Sequence, residues 1–299
     1  MSRLSTLVLL MSLGLGAPVV AAHVAAPDPA FWEAGLVDPW LAPQRGTAPP
    51  AAFSDLRRLN PEYDLMARTF TVLALADRAL SEPAQVPNVL AAMDAIVLDT
   101  VVRDAAAGPE AWLLPYGQVG GWLGSGESLF VDTELLVLLG ARRLVADDDP
   151  RWARAFADQE AAVLAHLTGP GLPIAESYPD EAWLFDHSMA LVGLRFAEAL
   201  DGADHGALRK GIVAALETTQ REPKSGLLNS SFSLSGVVRD GPEGSSLWFA
   251  TTALRLSAPG LADQQYAVAR EALGRSFLGW GYSREWPRGM QGPQDVDSG

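Results

Sequence analysis

Gly124-Ser125-Gly126-Glu127-Ser128 runs directly into Leu129-Phe130-Val131-Asp132-Thr133-Glu134-Leu135-Leu136-Val137-Leu138-Leu139-Gly140-Ala141-Arg142-Arg143-Leu144-Val145. A polar, glycine-rich loop is followed by a long apolar run with Arg142 and Arg143 near its end, where cations suit the helix dipole. Beyond Asp147-Asp148-Asp149-Pro150, a plainer amphipathic pattern is predicted helical from Arg151 to Leu167. This unit of one loop and two helices recurs. Asn60-Pro61-Glu62-Tyr63-Asp64 precedes predicted helices at 65–80 and 86–102. Tyr178-Pro179-Asp180-Glu181-Ala182-Trp183 precedes those at 185–200 and 205–218. Gly241-Pro242-Glu243-Gly244-Ser245-Ser246 precedes those at 247–256 and 261–273, and Asp295-Val296-Asp297-Ser298-Gly299 is the last such loop. The glutamates or first acids fall at 62, 127, 181, 243 and 295, at intervals of 65, 54, 62 and 52 residues. That spacing fits successive helical hairpins and is too long and too loose for a TPR-like solenoid. Strand-like alternation is scarce, with one short hairpin expected around Gly226 to Val238, so the fold class is all-α. Hairpins of this length set in a ring give an (α/α)6-barrel-like toroid, whose inner helices begin at one rim around a central cavity. The spacing permits that closure without requiring it. Six hairpins are expected of such a ring, and the chain stops at Asp297-Ser298-Gly299, where the next inner helix would begin, so the domain over 53–299 is expected to be incomplete at its C-terminus.

Composition narrows the function classes. The chain has 299 residues, 48% of them hydrophobic, and a formal charge of −14 from 36 acids against 22 bases. Lys210 and Lys224 are its lysines, and no basic cluster occurs, which argues against nucleic acid as a partner. With no cysteine, disulfides, thiolate zinc sites, iron–sulfur clusters and cysteine nucleophiles are all excluded. Met1-Ser2-Arg3, the apolar run Leu4 to Gly16 and Ala17-Pro18-Val19-Val20-Ala21-Ala22 read as a signal peptide over 1–22. The apolar run is short of the ~20 residues that span a bilayer. A periplasmic or secreted protein without stable membrane insertion is therefore expected. Residues 23–52, with Pro27, Pro29, Pro39, Pro43, Pro49 and Pro50, read as an extended lead-in.

Acids gathered at the starts of inner helices suit two reaction types. Eliminating water needs an acid for the leaving hydroxyl and a base for a nearby proton. Glycoside hydrolysis needs two carboxyl groups at a set separation. The candidate catalytic residues are Asp186, Glu134, His187 and Tyr178. Tyr63, Asp64, Trp183, Arg284, Glu285 and Asp297 are the candidate substrate-binding residues, and Asp132 sits beside Glu134. Each has a structural alternative. Asp180-Glu181 suits a helix N-terminus, Glu243 with Ser245 and Ser246 suits a capping loop, and His187 suits a packing role. His166 and His205 read as helix-surface residues. Asp147-Asp148-Asp149 lacks the spacing of a calcium loop and reads as a solvated turn. With no nucleotide, phosphate or zinc motif, neither a metal nor a cofactor is expected. The expected partner is a small-molecule substrate, and self-association is left open.

The stretch Ile174 to Leu194, I-A-E-S-Y-P-D-E-A-W-L-F-D-H-S-M-A-L-V-G-L, taken with Glu127 to Val145 and Arg284-Glu285 to Asp297, resembles the linalool dehydratase/isomerase-like family. The resemblance runs loosely from about Phe53 to Gly299 and rests on the order and spacing of the loops. It implies an (α/α)6 barrel, further helices beyond the end of this chain, and removal of water from, or isomerisation of, a small monoterpene alcohol. This chain departs from the family at its chemistry. Ser177 and Asp186 stand where the characterised enzyme relies on cysteines, Glu134 stands where it has a histidine, and Asp38 is the counterpart of its acid before the first hairpin. The resulting expectation is an exported, cofactor-free lyase or isomerase using acid/base chemistry. The alternatives are a carbohydrate-active hydrolase, lyase or epimerase, or a non-catalytic binding module.

Overall fold

The computed structural model describes residues 51–118, 128–277 and 280–292. The signal-peptide reading, most of the lead-in, the glycine-rich loop at 120–127 and Asp295 to Gly299 lie outside them. Helices dominate: α1 (Ala51–Leu59), α2 (Pro61–Ser81), α3 (Val86–Ala107), α4 (Leu129–Val145), α5 (Pro150–Leu167), α6 (Leu184–Asp201), α7 (Gly206–Thr219), α8 (Gly244–Leu254) and α9 (Pro259–Ala272). The local signals are legible. Asn60 caps α2 by accepting from the Glu62 N–H, with Pro61 in the first turn; Asp149 does the same for α5 with Pro150.

Burial sorts the helices into two rows. Helix α4 is buried almost all round, from Leu129 to Arg143, and α6 is nearly so, from Leu184 to Leu194. Helix α5 instead buries one stripe, Trp152, Phe156, Val163 and Leu167, and α7 and α9 do likewise. The helices α2, α4, α6 and α8 pack each against the next, while α3 and α5 lie against α4 and α9 against α8. Glycine lets α4 and α6 approach closely. A Cβ on Gly193 would sit 2.5 Å from the Leu136 side chain, and one on Gly140 would sit 2.5 Å from Phe196.

The arginines at the end of α4 do more than face the dipole. Arg142 is buried and pairs with Asp94 of α3 and with Asp148, at 2.7 and 2.9 Å. Arg143 pairs with Asp147 and with Asp201 of α6, at 2.9 and 2.8 Å. The expected solvated acidic turn is thus a set of ion-pair partners and a helix cap.

Strands are few. β1 (Ala182–Trp183), β2 (Ser231–Phe232) and β3 (Val238–Asp240) form an antiparallel sheet in that order. The expected hairpin is therefore present, shifted towards Asp240. A second hairpin, β4 (Gly274–Phe277) with β5 (Trp280–Ser283), was not expected. Its Gly274, Gly281, Ser276 and Ser283 dilute the alternation that marks a strand.

Candidate acid/base site

The site is built on the turn that launches α6. Ser177 N–H donates to the Glu181 carbonyl at 2.8 Å, and Glu181 N–H to the Tyr178 carbonyl at 3.0 Å. Pro179 takes the second turn position and Asp180 the third with φ of 61°, where a left-handed backbone is required. The turn feeds β1, which pairs with β2, and the Leu184 N–H meets the Ser230 carbonyl at 2.9 Å. Helix α6 therefore starts in a fixed place, with Asp186 in its first turn.

Asp186 is 3% exposed, and its carboxylate accepts from the Ser177 hydroxyl. Burial pushes its pKa well above the ordinary 3.8, the Glu62 and Glu134 carboxyls push the same way, and the Ser177 bond pulls it back in part. Glu134, on α4, is fully buried, and neither carboxyl oxygen has a hydrogen-bond partner. Burial raises its pKa from 4.5 to about 8. The Thr69 hydroxyl of α2 lies near enough to lower it slightly, but points to the Leu65 and Glu134 carbonyls at 3.3 and 3.4 Å. Two neighbouring helices thus bring two carboxyl groups into electrostatic contact away from water. Burial holds the proton on Glu134 at neutral pH, and a charge on Glu134 adds to the rise at Asp186.

Tyr178 serves a different end from the catalytic one expected. Its hydroxyl donates to Glu62 and accepts from the Leu114 N–H at 3.0 Å, so both its hydrogen-bonding roles are taken. Tyr116 stacks on it with ring centroids 4.6 Å apart and donates to Glu181 at 3.2 Å. Burial and the neighbouring Glu62 and Glu181 carboxylates raise both phenol pKa values. The phenols stay neutral and hold the segment around Leu114 and Tyr116 against the start of α2. Gly117 makes room for this, since a Cβ there would sit 2.6 Å from the Tyr178 ring.

His187 is likewise committed. Its Nδ1–H donates to the Trp183 carbonyl at 2.7 Å, and Nε2 accepts from the Ala175 N–H at 3.1 Å. That assigns a neutral tautomer, and burial lowers its pKa to about 4. No ring nitrogen is left for a substrate, so the expected catalytic histidine is a positioning group.

The expected binding residues scatter. Asp64 is 1% exposed and held by Arg57 at 2.7 Å and Arg68 at 2.6 Å, which makes it the hub of an ion-pair network and not a ligand contact. Tyr63 is half-buried in the first turn of α2. Trp183 is half-buried, and its indole N–H is buried near enough to Glu181 to lower that carboxyl's raised pKa. Glu285 accepts from the Ser245 N–H at 3.1 Å and from its hydroxyl, so it caps α8. Arg284 is exposed and lines an open groove with Glu285, Trp286 and the residues up to Gly292. Asp297 lies outside the described residues. Asp132 turns to α5, where Gln159 and His166 reach it at 2.6 and 2.7 Å. His205 pairs with Glu160 at 2.6 Å, so neither it nor His166 is a free surface histidine.

One feature had no expectation attached. Phe70 of α2, Phe185 of α6 and Phe249 of α8 meet with centroids 4.4 to 6.4 Å apart, and each is half-buried. Val137, Met189, Val192 and Ala253 continue that apolar surface. Aromatic residues on the inner row at 70, 185 and 249 were the available signal. No protein-family model matches the chain, and no curated protein is significantly similar to it in sequence.

Proposed function

We propose that the chain folds as part of an (α/α)6-like toroid and is an exported lyase or isomerase of the linalool dehydratase/isomerase-like kind. It would act on a small, mainly apolar hydroxylated molecule. The observation that carries this reading is Glu134, a buried carboxyl without a hydrogen-bond partner and with its pKa raised to about 8, together with Asp186 on the adjacent helix, whose pKa burial also raises. In the scheme, the protonated carboxyl gives its proton to the substrate hydroxyl, the C–O bond breaks and water leaves. The ionised partner takes a proton from the adjacent carbon, whose bonding pair becomes the new double bond. The Ser177 hydroxyl steadies the anion when it resides on Asp186. The scheme calls on no cofactor.

The inner face favours an apolar substrate over an oligosaccharide. Phe70, Phe185 and Phe249 with Met189 and Val192 supply apolar contacts, whereas a sugar needs many polar partners. The test is an assay of the purified protein on monoterpene alcohols and on oligosaccharides, with products resolved by mass spectrometry. Alkene formation is expected, falling by ~10²- to 10⁴-fold in Glu134→Gln and in Asp186→Asn, the range for loss of a general acid or base. Unchanged turnover in Asp186→Asn removes it from the mechanism, and turnover of oligosaccharides alone moves the protein to the carbohydrate-active class.

A further inference from the structure

Residues 270–292 reverse the charge of the chain as a whole. They carry four bases, Arg270, Arg275, Arg284 and Arg288, against two acids, Glu271 and Glu285, in a chain of formal charge −14. Upstream, Arg57, Arg68, Arg142, Arg143 and Arg209 are all matched to carboxylates. Arg255 with Asp263 is the last such pair along the chain among the described residues. Beyond it, Arg275 donates to the Gly274 and Ala272 carbonyls at 2.6 and 3.1 Å. Arg284 is exposed and, among the described residues, has no carboxylate within ion-pairing distance.

Arg284 lines a groove of about 720 Å³ whose other walls include Glu285, Trp286, Pro287, Met290 and Gln291. That volume lies in the range of small-molecule sites. The groove is held from two sides. The Arg284 N–H donates to the Leu273 carbonyl at 3.0 Å, and the Gly244 N–H of α8 donates to the Glu285 carbonyl at 2.7 Å. The Met290 N–H closes a turn on the Pro287 carbonyl at 3.0 Å, with Gly289 at φ of 85° in its third position. Trp286 is half-buried, and a Cβ on Gly292 would sit 2.4 Å from its indole nitrogen, so backbone fixes the ring. The walls are therefore set before a ligand arrives.

The hydrogen-bonding capacity left over in the groove is that of donors. The Glu285 carboxylate is already taken by the Ser245 N–H at 3.1 Å and by its hydroxyl. The Arg284 guanidinium is unmatched, and the Trp286 indole N–H has no acceptor within the protein. We propose that the groove is a second binding site, separate from Glu134 and Asp186, for a small monocarboxylate with an apolar body. The carboxylate pairs with the fork of Arg284, and the body lies against the Trp286 ring and Met290. A single guanidinium beside the Glu285 carboxylate suits one negative charge better than a phosphate dianion. A cationic ligand is disfavoured, because the acid in the groove is engaged in capping α8.

Titration of the full chain with benzoate, followed by calorimetry and by NMR of the indole N–H groups, tests this. A dissociation constant of roughly millimolar is expected, since an exposed ion pair adds only modestly to the apolar contact. Benzamide, which keeps the shape without the charge, should bind about five- to tenfold more weakly, and so should benzoate to Arg284→Gln. Arg284 is exposed, so that variant keeps the fold, which circular dichroism checks. The indole signal that moves should be the one missing from Trp286→Phe. Equal affinity for benzoate and benzamide, or for the parent and Arg284→Gln, would remove the anchor and overturn the proposal. Inorganic phosphate binding more tightly than benzoate would overturn it in favour of a dianion site. Binding seen only after Asp295→Asn and Asp297→Asn would give the groove to the chain's own acids and overturn it. No binding of benzoate or hexanoate up to about 50 mM would overturn it as well.

Discussion

Replacing Glu134 with glutamine separates the effect of its proton from the effect of its shape. Glu134 is fully buried, and its pKa is raised from 4.5 to about 8. Between those values the folded protein keeps a proton that the unfolded chain has released. Its contribution to stability is therefore fully present below pH 4.5, falls as pH rises, and has gone once pH passes about 8. At ~1.4 kcal/mol per pH unit, the window amounts to about 5 kcal/mol. His187 acts in the opposite sense. Its pKa is lowered from 6.5 to about 4, so stability is present above 6.5 and is lost as pH falls through 4. Asp186 shares the sign of Glu134. Because His187 is common to both proteins and burial outweighs Glu134 as the cause of the Asp186 shift, the difference between the parent and Glu134→Gln chiefly reports Glu134. At pH 5 the variant should be the less stable by ~1–3 kcal/mol, since a buried amide with no partner replaces a protonated acid. By pH 8 the difference should have moved by ~4 kcal/mol in the variant's favour, and the two stability curves should cross. Urea unfolding followed by circular dichroism from pH 5 to 8 measures this directly. Parallel curves, with a difference constant within ~1 kcal/mol, would show that Glu134 is ionised and solvated, and the acid/base pair would lose its foundation.

Asp64→Asn should lower the unfolding free energy by ~3–5 kcal/mol, because it removes one of the two carboxylates that hold the buried Arg68 at 2.6 Å. Turnover per folded molecule should not change, which separates Asp64 from the candidate substrate contacts. Gly193→Ala places a Cβ 2.5 Å from Leu136 and should destabilise by ~1–3 kcal/mol as α4 and α6 are forced apart; thermal melts measure this. The His187 imidazole should remain neutral, with its proton on Nδ1, down to about pH 5 and titrate near 4. Nitrogen-15 NMR of the ring would show protonation near 6.5 if the burial argument were wrong.

The elements that could be read from sequence are those whose signals are local. Leu129 to Val145 carries its own apolar run and its own boundary residues, and α4 has those limits. Two acids that look alike in the sequence show where such reading stops. Asp64 and Asp186 both sit in the first turn of an inner helix that follows a polar loop. Asp64 has Arg68 one turn along, a local cue for an ion pair that was available and not used. Asp132 and Glu134 differ in a similar way. Two residues along a helix is more than half a turn, so one faces the histidine of α5 while the other faces inward. The tie between Tyr178 and Glu62 spans 116 residues and leaves no local trace. Removing the acids that the fold satisfies with arginine, histidine or a helix end takes away Asp64, Asp132 and Glu285. Glu134 and Asp186 survive that subtraction. Among the described residues they have no cationic partner, and they stand on adjacent helices where burial raises the pKa of each. A fold that needed these carboxyls only for stability would be better served by apolar groups of the same size. Their burial without a cationic partner is the observation on which the proposed chemistry rests.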